Sequence, residues 1–252
     1  MPDLDALAER LAAAADRAQP TAQLSDAVAL TLPDAYAVQR RVVDRRAGAR
    51  VGLKMGFTSR AKMAQMGVSD LICGELTDDM RIMDGGSVPI ARFIHPRVEP
   101  EIAFVLKAPL GGRLSPAEAL LRVEAVAVAV EVIDSRYQNF RFDLTDVVAD
   151  NSSSAGFALG PLRPPSTLVD NLGMVLRLNG RAVQAGSSAA ILGDPARALA
   201  EAAHFSADLG IRLDAGSIVL AGAATAAEAL APGMHVCVDA GPLGRVSFEV
   251  GG

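Results

Sequence analysis

Val175-Leu176-Arg177-Leu178-Asn179-Gly180-Arg181-Ala182-Val183 decides the fold class. Alternating residues on both sides of Asn-Gly select a two-residue type I′ turn and therefore an antiparallel hairpin. Outward from it, Gly241-Pro242-Leu243-Gly244 marks a second hairpin, and Asp194-Pro195 caps a helix that carries Leu199, Ala203 and Phe205 and ends at Gly210. Short β-like runs are expected at 51–55, 101–106, 125–133, 174–179, 218–220, 236–239 and 246–250. At the N-terminus, Leu4, Leu7 and Leu11 recur at helical spacing among alanines, predicting a helix over 3–17. Leu32-Pro33-Asp34 opens a second helix that Gly48 is expected to end. Antiparallel hairpins with few helices indicate an α+β fold on a curled mixed sheet, arranged as one domain of 1–252 with a helical extension over 1–49 and a β-rich core over 50–252.

Composition narrows the function classes. Half of the 252 residues are apolar and 21% charged, which excludes disordered, collagen-like and disulfide-scaffold chains. The net charge of −5, with scattered basic residues, gives no footprint for nucleic acid, and 4% aromatic content without Trp removes base-stacking platforms. A small-molecule partner is expected. Cys73 and Cys237 lie in apolar surroundings without metal spacing, so both are expected to be buried reduced thiols of a cytoplasmic protein. Met1-Pro2-Asp3-Leu4-Asp5 is no basic export signal, and no apolar run reaches the ~20 residues of a membrane span. The apolar content and a mean hydropathy of +0.28 favour a homo-oligomer, at least a dimer, over a monomer.

His95-Pro96-Arg97-Val98-Glu99-Pro100-Glu101-Ile102-Ala103-Phe104 carries the chemistry. Extended backbone puts Glu99 and Glu101 on one face. Two adjacent carboxylates fit either a solvated strand edge or a hard divalent cation, which prefers oxygen ligands. Glu131, at the end of Ala125-Val126-Ala127-Val128-Ala129-Val130, is expected to be buried. Buried carboxylates are paired or metal-bound, so Glu131 is either the third ligand or the partner of Arg136 or Arg97. Lys54, in Val51-Gly52-Leu53-Lys54-Met55-Gly56, either reaches a substrate oxygen or snorkels from an edge strand. Asp78-Asp79 and Asp150-Asn151-Ser152-Ser153-Ser154 read as polar loops.

Together Val51-Gly52-Leu53-Lys54-Met55-Gly56-Phe57-Thr58-Ser59, Lys62-Met63-Ala64-Gln65-Met66-Gly67-Val68, Val98-Glu99-Pro100-Glu101-Ile102, Lys107-Ala108-Pro109-Leu110, Glu131-Val132-Ile133-Asp134-Ser135-Arg136-Tyr137 and Val148-Ala149-Asp150-Asn151 resemble the 2-keto-4-pentenoate hydratase group of the fumarylacetoacetate hydrolase superfamily. The runs at 62–68, 107–110 and 135–144 most resemble its decarboxylase branch. The resemblance implies a β-roll core and decarboxylation of 2-oxo-3-hexenedioate to 2-hydroxypenta-2,4-dienoate in meta-cleavage aromatic catabolism. It implies Mg²⁺ or Mn²⁺ on Glu99, Glu101 and Glu131, and catalytic roles for Lys54, Asp78 and Ser153. Ser152 stands where alanine is usual, leaving open which of Ser152, Ser153 and Ser154 faces substrate. Ala221-Gly222-Ala223-Ala224-Thr225 and Glu228-Ala229-Leu230 depart from the family pattern, leaving the role of Thr225 open. The resemblance also implies a complex with 2-hydroxypentadienoate hydratase. The alternatives are a hydratase of that dienol, which would use the same metal, and a catalytically silent scaffold subunit.

Overall fold

The computed structural model describes residues 2–59 and 70–252, and the run at 62–68 lies outside them. Helix α1 (Leu4–Asp16) starts where the Asp3 carboxylate accepts the Ala6 N–H at 3.1 Å and buries Ala8, Leu11 and Ala14 along one face. Helix α2 (Leu32–Asp44) opens on a capping box between Thr31 and Asp34, with Pro33 in the first turn. It ends at Arg45, before the expected Gly48, because the Arg45 N–H turns back onto the Val42 carbonyl and the Arg46 N–H onto the Val43 carbonyl. Asp44 then pairs with Arg50 at 2.6 Å, and the Asp78 carboxylate accepts the Ala49 N–H, steering the chain into the first strand.

The remaining α-helices among the described residues are α3 (Pro116–Leu120), α4 (Leu144–Ala149) and α5 (Pro195–Leu209). Helix α5 is capped by Asp194 and stopped by left-handed Gly210, as expected. Helix α2 packs against both α1 and α4: Leu11, Leu24, Val38, Tyr137 and Val148 share one buried cluster. Asp146, inside α4 and fully buried, accepts hydrogen bonds from the Leu24 and Ser25 N–H groups, the Ser25 hydroxyl and the Gln23 amide.

Thirteen strands form two mixed sheets among the described residues. They are β1 (Arg50–Gly56), β2 (Ile72–Thr77), β3 (Arg81–Ile82), β4 (Gly86–Pro89), β5 (Arg97–Leu106), β6 (Val123–Ile133), β7 (Ser154–Leu159), β8 (Gly173–Leu178), β9 (Arg181–Ser187), β10 (Ile218–Ala223), β11 (Glu228–Ala229), β12 (His235–Asp239) and β13 (Arg245–Gly251). The larger sheet runs β2-β1-β10-β5-β6-β7-β3, with β11 beside β5, and the smaller runs β4-β13-β12-β8-β9. Three pairings are parallel, β1 with β10, β3 with β7 and β4 with β13. Val126, Val128 and Val130 from the larger sheet share a core with Leu176, Val238, Val246 and Phe248 from the smaller. The Asn-Gly hairpin joins β8 to β9 with φ of 52° at Asn179 and 79° at Gly180, as a type I′ turn requires. Strands β2 and β7 had no alternating signal because every residue in them is buried.

Cys73 is buried and unbonded, and burial pushes its thiol up to about 12, an inert state. Cys237 is also unbonded but only half-buried, because it lies on the outer face of β12 while Val236 and Val238 point into the core. Most apolar residues are internal: among the described residues the exposed large ones are Met83, Leu121, Leu162 and Leu168. Removing the Asp146 carboxylate leaves several donors at the α4 junction without an acceptor. Asp146→Ala should therefore lower unfolding free energy by about 3 kcal/mol in urea titration, whereas a change below about 1 kcal/mol would show the junction to be peripheral.

Candidate active site

Strands β5 and β6 pair so that Glu99 lies opposite Glu131, with Glu101 two residues along β5 on the same face. One oxygen each from Glu99, Glu101 and Glu131 lie within 4.8 Å of one another. Glu101 and Glu131 are 1% exposed, so the solvated-edge reading does not hold for them. Burial raises the pKa of both; Glu131 and Glu99 push Glu101 higher and Glu99 pushes Glu131 higher, while Lys54 pulls both in the opposite direction. The donor set is all oxygen, and two of its three carboxylates are buried. The Glu131 Oε1 atom is buried and accepts no hydrogen bond from the described residues. Such a cluster fits a hard divalent cation.

Lys54 lies on β1 between β2 and β10, so it is not an edge-strand residue. Its Nζ is 3.4 Å from Glu131 Oε2 within hydrogen-bonding geometry and 3.3 Å from Oε1 as an ion-pair contact. Among the described residues Lys54, rather than Arg136 or Arg97, is thus the basic partner of Glu131. Arg136 is held by Asp150, whose carboxyl burial pushes up to about 6 against the pull of that guanidinium, and Arg97 lies on the Phe140 ring.

The serine run is a buried turn and not an exposed loop. Asn151, Ser152 and Ser153 have φ of 49°, 51° and 58°, three consecutive left-handed residues. The Asn151 side chain accepts the Glu75 N–H at 2.8 Å and donates to the Glu75 carbonyl at 2.9 Å, clipping the turn to β2. Ser152 donates to the Cys73 carbonyl at 2.8 Å and Ser154 lies 3.7 Å from the Met80 sulfur. Ser153 Oγ is buried without a partner among the described residues, which singles it out of the three.

Lys54, Glu99, Glu131, Ser152 and Ser153 line one cavity of about 200 Å³. A wider groove of about 690 Å³, bordered by Arg40, Arg50 and Arg212, contains none of the three glutamates. Asp78 is not among the residues that line the Lys54 cavity. It lies beyond the far end of β2 from Ile72, which lines the cavity, and its carboxylate is spent on the Ala49 N–H. Thr225 donates to the Ala226 carbonyl, and the cavity wall from this loop is Ala223.

Sequence reasoning assigned no role to Gly222. An irregularity in the β10–β5 register aims its N–H at Glu101 Oε2, 2.8 Å away, with φ of 111°. A Cβ there would lie 2.0 Å from Thr58 Oγ1, so glycine is required. The sequence signal was a glycine interrupting an apolar strand. Phe57, Phe140 and Phe142 were also without a role, and all three line the cavity.

The family model described as fumarylacetoacetate (FAA) hydrolase C-terminal matches residues 70–251. The chain is 55% identical over 249 residues to a 4-oxalocrotonate decarboxylase of a Pseudomonas species, covering 98% of this chain and 97% of that one. It is 36% identical to the 2-keto-4-pentenoate hydratase of Paraburkholderia xenovorans strain LB400, over 90% and 87% of the two chains. Its fold superimposes with a TM-score of 0.93 on the 4-oxalocrotonate decarboxylase of Pseudomonas putida G7 complexed with magnesium and adipate, at 40% identity over 98% and 97% of the chains.

Because the cation competes with protons for carboxylates of raised pKa, its stabilising effect should grow with pH. Magnesium at a hundredfold excess over its Kd should stabilise the chain by about 2.7 kcal/mol. That rise in thermal midpoint should shrink as pH falls and vanish in Glu131→Gln. An equal rise in the variant would place the ion elsewhere.

Proposed function

The chain belongs to the fumarylacetoacetate hydrolase family, and on that premise we infer that it is a metal-dependent carbon–carbon lyase converting 2-oxo-3-hexenedioate (4-oxalocrotonate) to 2-hydroxypenta-2,4-dienoate and CO₂. The observation that carries this reading is the convergence of Glu99, Glu101 and Glu131 at a cavity that Glu99, Glu131 and Lys54 line. In the substrate a C=C bond joins the 2-oxo group to the carbon bearing the departing carboxylate. Electrons released with CO₂ therefore reach the 2-oxo oxygen. A divalent cation, Mg²⁺ or Mn²⁺, held by Glu99, Glu101 and Glu131 supplies the Lewis acidity that makes this oxygen an electron sink.

The chain's own groups set up that end of the cavity. Lys54, fixed against Glu131, places an ammonium where oxyanion charge develops. Gly222 orients Glu101 through its N–H. The unpartnered Ser153 hydroxyl is the donor offered to a substrate oxygen. Asp78 has no part in this mechanism. Water addition to the dienol uses the same carboxylates but is the named activity of relatives less similar than the decarboxylases. A silent scaffold would have no need of three converging carboxylates and an ammonium.

The reading extends to meta-cleavage aromatic catabolism in the cytoplasm, to which the unbonded cysteines are suited. No helix among the described residues is long and apolar enough to cross a membrane. Association with itself and with a hydratase rests on the chemistry, since a dienol ketonises in water and direct transfer limits that loss. Composition no longer argues for it, because most of the apolar residues fill the core.

Turnover is tested on both substrates with and without Mg²⁺. The expected result is Mg²⁺-dependent consumption of 2-oxo-3-hexenedioate with release of CO₂, and no loss of the dienol's ultraviolet absorbance. Loss of that absorbance without decarboxylation would make the chain a hydratase. Lys54→Met should lower kcat by about 10²–10³ with Mg²⁺ affinity retained. Unchanged kcat would remove Lys54 from the mechanism.

A further inference from the structure

The cavity has two unlike walls. Lys54, Glu99, Glu131 and Ser153 are the polar side; Phe57, Ile72, Phe142 and Val147, which share one apolar cluster, and Phe140, whose ring is 5.9 Å from that of Phe142, are the apolar side. Three of the chain's eight phenylalanines meet here. Two of them adopt left-handed backbone, Phe57 at φ 56° and Phe140 at φ 56°, beside Asn139 at φ 58°. Bulky residues rarely occupy that region, and such strain persists only where surrounding structure enforces it. Among the described lining residues the one cation is Lys54, which is held against Glu131. Arg97 has its guanidinium carbon 5.2 Å from the centre of the Phe140 ring and does not line the cavity.

We propose that Phe140 and Phe142 are specificity-determining residues that hold the departing carboxylate against an apolar surface and screen it from Arg97. The inference rests on the decarboxylase reading and deepens it. In the reaction the C5–C6 bond breaks and its electron pair forms C4=C5. The C3=C4 pair moves to C2=C3, and the carbonyl pair moves to the 2-oxo oxygen, which takes up a proton from solvent. C6 leaves as neutral CO₂. One negative charge thus moves from the phenylalanine wall to the Lys54 wall. A cation or water at the departing carboxylate would stabilise the starting state and not the product. An apolar surface does the reverse, favouring charge migration without binding the terminal carboxylate tightly.

Two unreactive ligands test this on the full-length Mg²⁺-loaded protein by calorimetry. 2-Oxohexanedioate has both carboxylates but lacks the double bond needed to release CO₂, and 2-oxohexanoate lacks the terminal carboxylate. The wild type should prefer the dianion by less than fivefold. A preference of fivefold or more would show that the terminal carboxylate is bound by charge and would overturn the proposal. Phe140→Ser with Phe142→Ser should raise dianion preference at least fivefold and lower kcat at least tenfold. Phe142→Leu, which keeps the surface apolar, should retain both wild-type values. If the serine variant folds and leaves the preference unchanged, the proposal fails; if it does not fold, the wild-type ratio and the leucine variant decide. Absence of CO₂ release by the wild type would instead sink the decarboxylase reading, which the binding ratio leaves untouched.

Discussion

Glu101 and Glu131 are carboxylates placed where water does not reach, and much of the surrounding structure answers to that placement. An isolated buried carboxylate is costly and takes up a proton unless it is paired, hydrogen-bonded or bound to a cation. Lys54 answers part of the charge on Glu131, and the Gly222 N–H answers part of that on Glu101. Glu99, at the half-buried end of the pair, adds further negative charge to the cluster. A divalent cation would supply compensating charge here, and its Lewis acidity would serve the chemistry.

Strain is concentrated around the same cavity. Of the non-glycine residues with positive φ, Phe57, Phe140, Ser152 and Ser153 line it, and Asn139 and Asn151 adjoin them. What holds these conformations is identifiable. Asn151 is clipped to both backbone groups of Glu75, and Gly74 lets the turn approach, since a Cβ there would lie 2.5 Å from the Asn151 carbonyl. The buried Arg136–Asp150 pair anchors the turn from the other side. The larger sheet and α4 thus serve as a rigid frame for a few side chains in unfavourable backbone positions.

The period-two spacing of Glu99 and Glu101 was legible because strand geometry fixes side-chain direction, and Glu131 was legible from its apolar approach. The Asn179-Gly180 hairpin and the Asp194-capped helix were legible because turn and cap chemistry is local. The partner of Glu131 was not, because Lys54 comes from a strand 77 positions away in sequence. Asp78 misled because a matching residue type carries no information on direction, and here the carboxylate faces the α2–β1 connection. Strands β2 and β7 escaped notice because burial on both faces removes alternation. Gly222 and the phenylalanine wall depend on a register irregularity and positive φ angles, which no periodicity encodes.

The central claim is that one ion is held jointly by carboxylates of two neighbouring strands, β5 and β6. Anomalous diffraction at the manganese edge from crystals of the protein grown with Mn²⁺ tests it most directly. The expected result is one strong peak bonded to an oxygen from each of Glu99, Glu101 and Glu131. A peak bonded to only one of the three, or lying in the groove between Arg40 and Arg212, would contradict it.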